Sequence, residues 1–193
     1  MKKAYKKIYG IFLLLSVGIF ALFPGSFFIQ EAYGFSSPAL ATGSATLAVY
    51  PMKGTLNRGC NYLLSIGLST GGLDTDGTDI VLFYDPAVLD MHDILDGGFY
   101  PSYVINSIDS NVGKVSISGL ASIFKPVNKK GVFAQLNFMV LPEASSSSTT
   151  FNFDFDPTNP TKTTDSNVVQ SISAVDILRT VYNGSYKIGN GPC

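Results

Sequence analysis

Two stretches concentrate the carboxylates of this chain. DTDGTD places Asp74, Asp76 and Asp79 close together, and DFDPTNPTKTTD places Asp154, Asp156 and Asp165 in a second acidic loop. Alternate carboxylates can turn toward one centre while a glycine permits the sharp turn between them, which is how an oxygen-ligand calcium loop opens. The glutamate that closes an EF-hand loop is absent, so that motif is excluded. Short Asp side chains also bond the local backbone in ordinary turns. Two readings therefore stand for these six residues: a calcium site, in either loop or shared by both, or two solvated turns. Calcium is the one cofactor suggested, and nothing in the chain requires it.

Catalytic constellations are not legible. The single histidine, His92 in DMHDIL, has no G-x-S-x-G elbow to supply a serine nucleophile, so a Ser/His/Asp hydrolase is not expected. One histidine and two cysteines cannot make a His/Cys metal cluster. Glycosidase carboxylates must face each other across a sugar, and nothing in the sequence places these aspartates so. Tryptophan is absent, which leaves Tyr62, Tyr100, Tyr103, Tyr182 and Tyr186 as candidates for stacking on a sugar ring. The chain is expected not to be an enzyme, and His92 reads as a surface or partly packed residue.

The elements that would carry these residues are strands. SATLAVYP, CNYLLSIGLS, TDIVLFYDP, SYVINSI, GKVSISGLAS, GVFAQLNFMV, TFNFDFDP and GSYKIG are short apolar runs, with Gly, Asn, Asp or Pro between most of them. In TFNFDFD, Phe151, Phe153 and Phe155 alternate with polar residues, and in GVFAQLNFMV, Ala134, Leu136, Phe138 and Val140 share one face. DPAVLDMHDIL reads as one or two helical turns, and DSNVVQSISAVDILRTV is ambiguous between helix and strand. The expected class is all-β, a sandwich of short strands.

The ends of the chain bear on compartment. Lys2, Lys3, Lys6 and Lys7 precede an apolar run without charge from Ile8 to Gln30, the pattern of an export signal. That run is long enough to span a bilayer, so residues 1–41 read as a signal peptide or a signal anchor held by residues 8–30, and residues 42–193 as the domain. Beyond residue 41 the chain keeps 9 Lys+Arg against 13 Asp+Glu, a net charge of −4. No basic stripe is present, so nucleic acid is not an expected partner. Cys60 and Cys193 form an even pair in a chain bound for an oxidising compartment, and are expected to bridge.

The order of motifs carries a resemblance. GCNY, then GTDIVLFYDPAVL, GKVSISGLA, KGVFAQLNFMV, TFNFDFDP…TTDSNVV and NGSYKIG together resemble a cohesin module over roughly residues 44–190. The family's Tyr-Asp-Pro strand end corresponds to Tyr84, Asp85 and Pro86 with Leu89 beyond, and its Gly-x-Leu-Ala strand to Gly131, Phe133, Ala134, Leu136 and Phe138. Phe133 replaces the usual Leu. Asn183, Gly184 and Ser185 open the closing strand. The resemblance implies a nine-stranded jelly-roll sandwich that docks a dockerin-like protein module without catalysis, on a flat sheet face that includes the Tyr-Asp-Pro strand. The face so implied comprises Asp79, Val81, Phe83, Tyr103, Lys114, Ser116 and Ser118. Alternation supports part of it: with Ile80, Leu82 and Tyr84 in the core, Val81 and Phe83 stand outside as an exposed apolar pair. The expectation is a secreted or cell-surface binding module in surface assembly or polysaccharide catabolism, touching membrane only through its N-terminal segment. The alternatives are a carbohydrate-binding module on the same fold, with polysaccharide as ligand, and a structural or adhesive surface protein.

Overall fold

The computed structural model describes residues 44–193 apart from Ile123. The expected signal or anchor helix within residues 1–41, and the boundary at residue 42, lie outside the described residues. Strands follow one another along the rest of the chain. β1 (Ala45–Tyr50), β2 (Lys53–Asn57), β3 (Asn61–Ser69) and β4 (Thr75–Phe83) come first. β5 (Leu89–Asp96), β6 (Ser102–Asp109), β7 (Lys114–Leu120) and β8 (Lys130–Val140) follow. β9 (Ser148–Phe153), β10 (Asn167–Gln170), β11 (Leu178–Tyr182) and β12 (Gly184–Gly189) complete the set.

They pair into the two mixed sheets of a sandwich. One sheet runs β11-β1-β3-β8-β5, and the other β2-β12-β9-β4-β7-β6 with β10 added against β4. Period-two alternation decides which side chains meet between them. Leu64, Ile66 and Leu68 of β3 and Leu136, Phe138 and Val140 of β8 are buried against Ile80 and Leu82 of β4, Val115 and Ile117 of β7, and Phe151 and Phe153 of β9. The sheets meet at Phe138 and Phe151, whose ring centroids lie 5.3 Å apart.

Twelve strands stand where nine were expected. NVVQ and LRTVY, in the ambiguous segment, become the short strands β10 and β11. KGTLN becomes β2, a strand whose side chains are mostly exposed and therefore show no apolar alternation. DPAVLDMHDIL makes a single turn, with Val88 N and Leu89 N donating to Asp85 O at 3.1 and 3.0 Å, before running into β5. A register irregularity between Met91 and Asp93 explains the helical look of that stretch. The extra residue, His92, lets Met91 and Ile94 both face the core at a spacing of three.

One end of the sandwich is tied covalently. Cys60, buried just after β2, bridges to Cys193 across 133 residues, with the Cα atoms 5.4 Å apart. Arg58 reinforces the same end: Nε donates to Ala144 O at 2.7 Å, Nη2 to Ser146 O at 3.0 Å and Nη1 to Asn190 Oδ1 at 2.7 Å. Closing so long a loop removes entropy from the unfolded chain. The Cys60→Ala, Cys193→Ala double variant should lose about 2–5 kcal/mol in a denaturant titration. An unchanged midpoint would mean that the Arg58 hydrogen bonds hold this end without the bridge.

Candidate functional site

β4 is the strand on which the candidate face is built. β7 pairs with it from Gly77 to Phe83, in register with Leu120 to Lys114. On its other edge the partner changes: β10 pairs Thr75 to Asp79, and β9 pairs Leu82 and Phe83. Val81 falls in the gap. There the buried Ser166 acts in place of a strand, its Oγ accepting from Val81 N at 3.0 Å and donating to Val81 O at 3.1 Å. Asp154 N also donates to Val81 O at 2.8 Å, and Ser166 N to Asp154 O at 2.8 Å. The backbone N–H and C=O of Val81 thereby find partners, as burial demands.

The outward side chains form cross-strand rows. Ile105 of β6 lies opposite Ser118 of β7, Ser118 opposite Asp79, and Asp79 opposite Asn167 of β10. Ser118 Oγ donates to Asp79 Oδ1, and Asn167 Nδ2 to Asp79 Oδ2 at 3.3 Å. The carboxylate is half-buried and held from both sides. The next row holds Ser107, Ser116 and Val81, and the one beyond it Asp109, Lys114 and Phe83. Above Asp79, Leu120 lies over Gly77, where a Cβ would stand 3.0 Å from Leu120 Cδ2. Phe83, Ile105 and Leu120 are all exposed on this face, Ile105 in the row of Asp79, Leu120 in the row next to it, and Phe83 two rows away.

Asp79, Phe83, Lys114, Ser116 and Ser118 therefore share one outer face, as expected, although Ser118 is buried under its bond to Asp79. Two residues depart from expectation. Val81 is only 8% exposed, because the segment from Asp154 to Ser166 runs along its edge, so the apolar pair reduces to Phe83 alone. Tyr103 turns inward. Its hydroxyl donates to Phe133 O, its ring packs 5.3 Å from that of Phe133, and burial pushes its pKa up to about 12. A register irregularity between Tyr103 and Ile105 re-aims the strand. Ile105, Leu120, Ser166 and Asn167 are additions to the face. Period two offers Ile105 and Leu120 from sequence, whereas the roles of Ser166 and Asn167 depend on a pairing to β4 that no local pattern encodes.

Several carboxylates of the calcium reading have other partners in the structure. Asp74 is exposed just before β4 and Asp76 near its start, and Asp79 is engaged on the outer face. In the second loop Lys162 supplies the cation: its Nζ lies 3.1 Å from Asp154 Oδ1 and 3.6 Å from Asp165 Oδ2. The Asp154 contact raises the pKa of Lys162. Asp165 Oδ2 also accepts from Asp156 N at 3.1 Å. Asp156 caps its own turn, accepting from Thr158 N at 2.9 Å and Thr158 Oγ1 at 2.6 Å, and the Thr158 bonds hold its carboxyl below the usual range. Among the described residues no group of three or more His, Cys, Asp or Glu is placed to hold a metal ion. His92 is exposed, 3.3 Å from Asp90.

Comparison with known proteins agrees with the fold. The cohesin domain family model matches residues 69–185, more than half of the chain. A cohesin from Clostridium acetobutylicum, CaCohA2, is 17% identical over 78% of this chain and 94% of its own, with a TM-score of 0.61. The Coh-OlpC–Doc435 structure, a type I cohesin–dockerin complex from Clostridium thermocellum, is 14% identical over 77% and 95%, with a TM-score of 0.62. A non-cellulosomal cohesin from the archaeon Archaeoglobus fulgidus is 13% identical over 76% and 92%, with a TM-score of 0.53. A search of curated proteins returns no match.

Two outcomes follow from the bonding around β4 and the second acidic loop. Ser166→Ala leaves the buried Val81 N–H without its acceptor and should cost about 1–3 kcal/mol in chemical denaturation. A neutral effect would mean the gap in the sheet is solvated. Melting curves in calcium and in chelator should coincide, while Lys162→Ala should lower the melting temperature by leaving the buried Asp165 without its cation. A fall of several degrees on chelation of the wild type would restore the metal reading.

Proposed function

The chain belongs to the cohesin family, and on that footing we propose that it is a non-catalytic module that docks a dockerin-type protein on the outer face of β6, β7, β4 and β10. The observation that carries this reading is the setting of Asp79. Its carboxylate is oriented by Ser118 and Asn167 before any partner arrives, and Phe83, Ile105 and Leu120 stand exposed on the same face. A charged group held in place loses little freedom on binding, and apolar side chains on its face supply anchors. Rigid strands carry all four residues. The face can therefore be read by a partner without rearrangement.

The same reading extends to compartment and fold. Residues 1–41 act as an export signal or as an anchor through residues 8–30, and residues 42–193 work outside the cell, secreted or at its surface. The disulfide supports an oxidising setting. The role is assembly of proteins at the surface, including those that degrade polysaccharide. We read the sandwich as a jelly-roll frame of nine strands, to which the short strands β2, β10 and β11 are added.

Phe83→Asp tests the face without disturbing the core, because Phe83 is already 39% exposed. Val81 is unsuited to the same test, since a carboxylate there would be buried. Against dockerin modules encoded by the source organism, surface plasmon resonance should show Phe83→Asp losing about 2 kcal/mol, roughly 30-fold in affinity, at unchanged melting temperature. Full affinity in that folded variant would displace the face. Failure of the wild type to bind any of those modules would sink the docking reading.

A further inference from the structure

The outer face of the opposite sheet carries a groove that docking on β4 does not use. Its volume is about 480 Å³, in the range of a site for a small ligand or a few sugar rings. Three cross-strand rows build it. The middle row is Tyr182 of β11, Ala48 of β1, Gly67 of β3 and Val132 of β8. On one side of it lie Thr46, Ser69 and Lys130, and on the other Tyr50. The floor is low because Ala48 and Gly67 offer almost no side chain. A Cβ on Gly67 would stand 2.7 Å from Tyr50 Cε2, so glycine is what lets the Tyr50 ring lie across the sheet. Tyr50, Tyr182, Met52 and Val132 are 44%, 49%, 42% and 39% exposed.

From this arrangement we infer a second binding site, specific for a neutral polysaccharide whose pyranose rings present a C–H face. A sugar ring needs two unlike surfaces at once, an apolar plate for its C–H face and hydrogen-bonding groups for its hydroxyls. The tyrosines and the small floor supply the first, and the Thr46, Ser69, Lys130 row supplies the second. The lining holds one ammonium and no carboxylate, which suits a neutral chain better than an acidic one requiring several cations. A protein partner fits poorly. A stable interface takes about 800 Å² from each side, and beyond the groove this face turns polar at Ser65 and Gln135, joined at 3.4 Å, with Leu63 and Leu95 the exposed apolar side chains past them. Tyr182 is one of the tyrosines that the sequence offers for sugar contact; of the others, Tyr100 and Tyr186 are buried and Tyr103 packs half-buried against Phe133.

Calorimetry on the full chain with cellohexaose, xylohexaose and mannohexaose, and with polygalacturonate as the acidic probe, tests the site. Binding of at least one neutral hexasaccharide is expected, with at least a tenfold loss in Tyr182→Ala and in Gly67→Ala. The second variant keeps both tyrosines and only pushes the Tyr50 ring off its seat. Both should melt near the wild type and retain dockerin capture, whereas Phe83→Asp should leave saccharide binding unchanged, so failure of one site is separable from failure of the other. Absence of binding to all three neutral probes, binding to polygalacturonate alone, or full affinity in both groove variants would overturn the inference.

Discussion

The structure depends on β4 being hydrogen-bonded along both edges. A strand in that position cannot slip by one residue without driving Asp79 into the core and Ile80 and Leu82 out of it, because side chains alternate with a period of two. Its register to β7 therefore decides the candidate face: Ser118 beside Asp79, Lys114 beside Phe83. The second edge is harder to satisfy, since β9 and β10 each cover only part of it. Ser166 completes that edge with a side chain. The same short segment then brings Asn167 onto Asp79, so one constraint closes the sheet and orients the carboxylate.

The two faces of the sandwich differ in what they can meet. Beyond β4 the outer surface offers a flat array of apolar anchors with a fixed charge, the character of a protein-binding surface. Beyond β1 and β3 it offers a narrow trough with aromatic edges and a floor of small residues. The core between them, packed through Phe138, Phe151 and Tyr186, holds the two faces in one rigid domain. At one end the Cys60–Cys193 bridge and the Arg58 hydrogen bonds secure the chain after its last strand.

Much of this was legible where periodicity was undisturbed. In β7, β9 and β8 from Ala134 onward the alternating residues point as their spacing requires, and Ile80 and Leu82 enter the core. Reading failed where one residue is inserted or where a distant segment intervenes. The irregularity at His92 gives β5 the look of a helix, and that beyond Tyr103 turns an expected surface residue into a half-buried one packed on the core. Val81 is covered by a segment more than seventy residues away in sequence, which local alternation cannot report. The acidic loops allow two readings from sequence, because counting carboxylates cannot report that Lys162 lies between Asp154 and Asp165. Cohesin membership was recoverable because the order of motifs survives even where the identity to solved relatives is 13–18%.

Hydrogen exchange of the chain, free and saturated with a dockerin module that it binds, tests the central claim most directly. Docking on the β4 face predicts added protection in β6, β7 and β10 and in the loop after Leu120, with β1, β3 and β11 unchanged. Protection confined to β1, β3 and β11 would contradict it and move the protein partner to the opposite sheet.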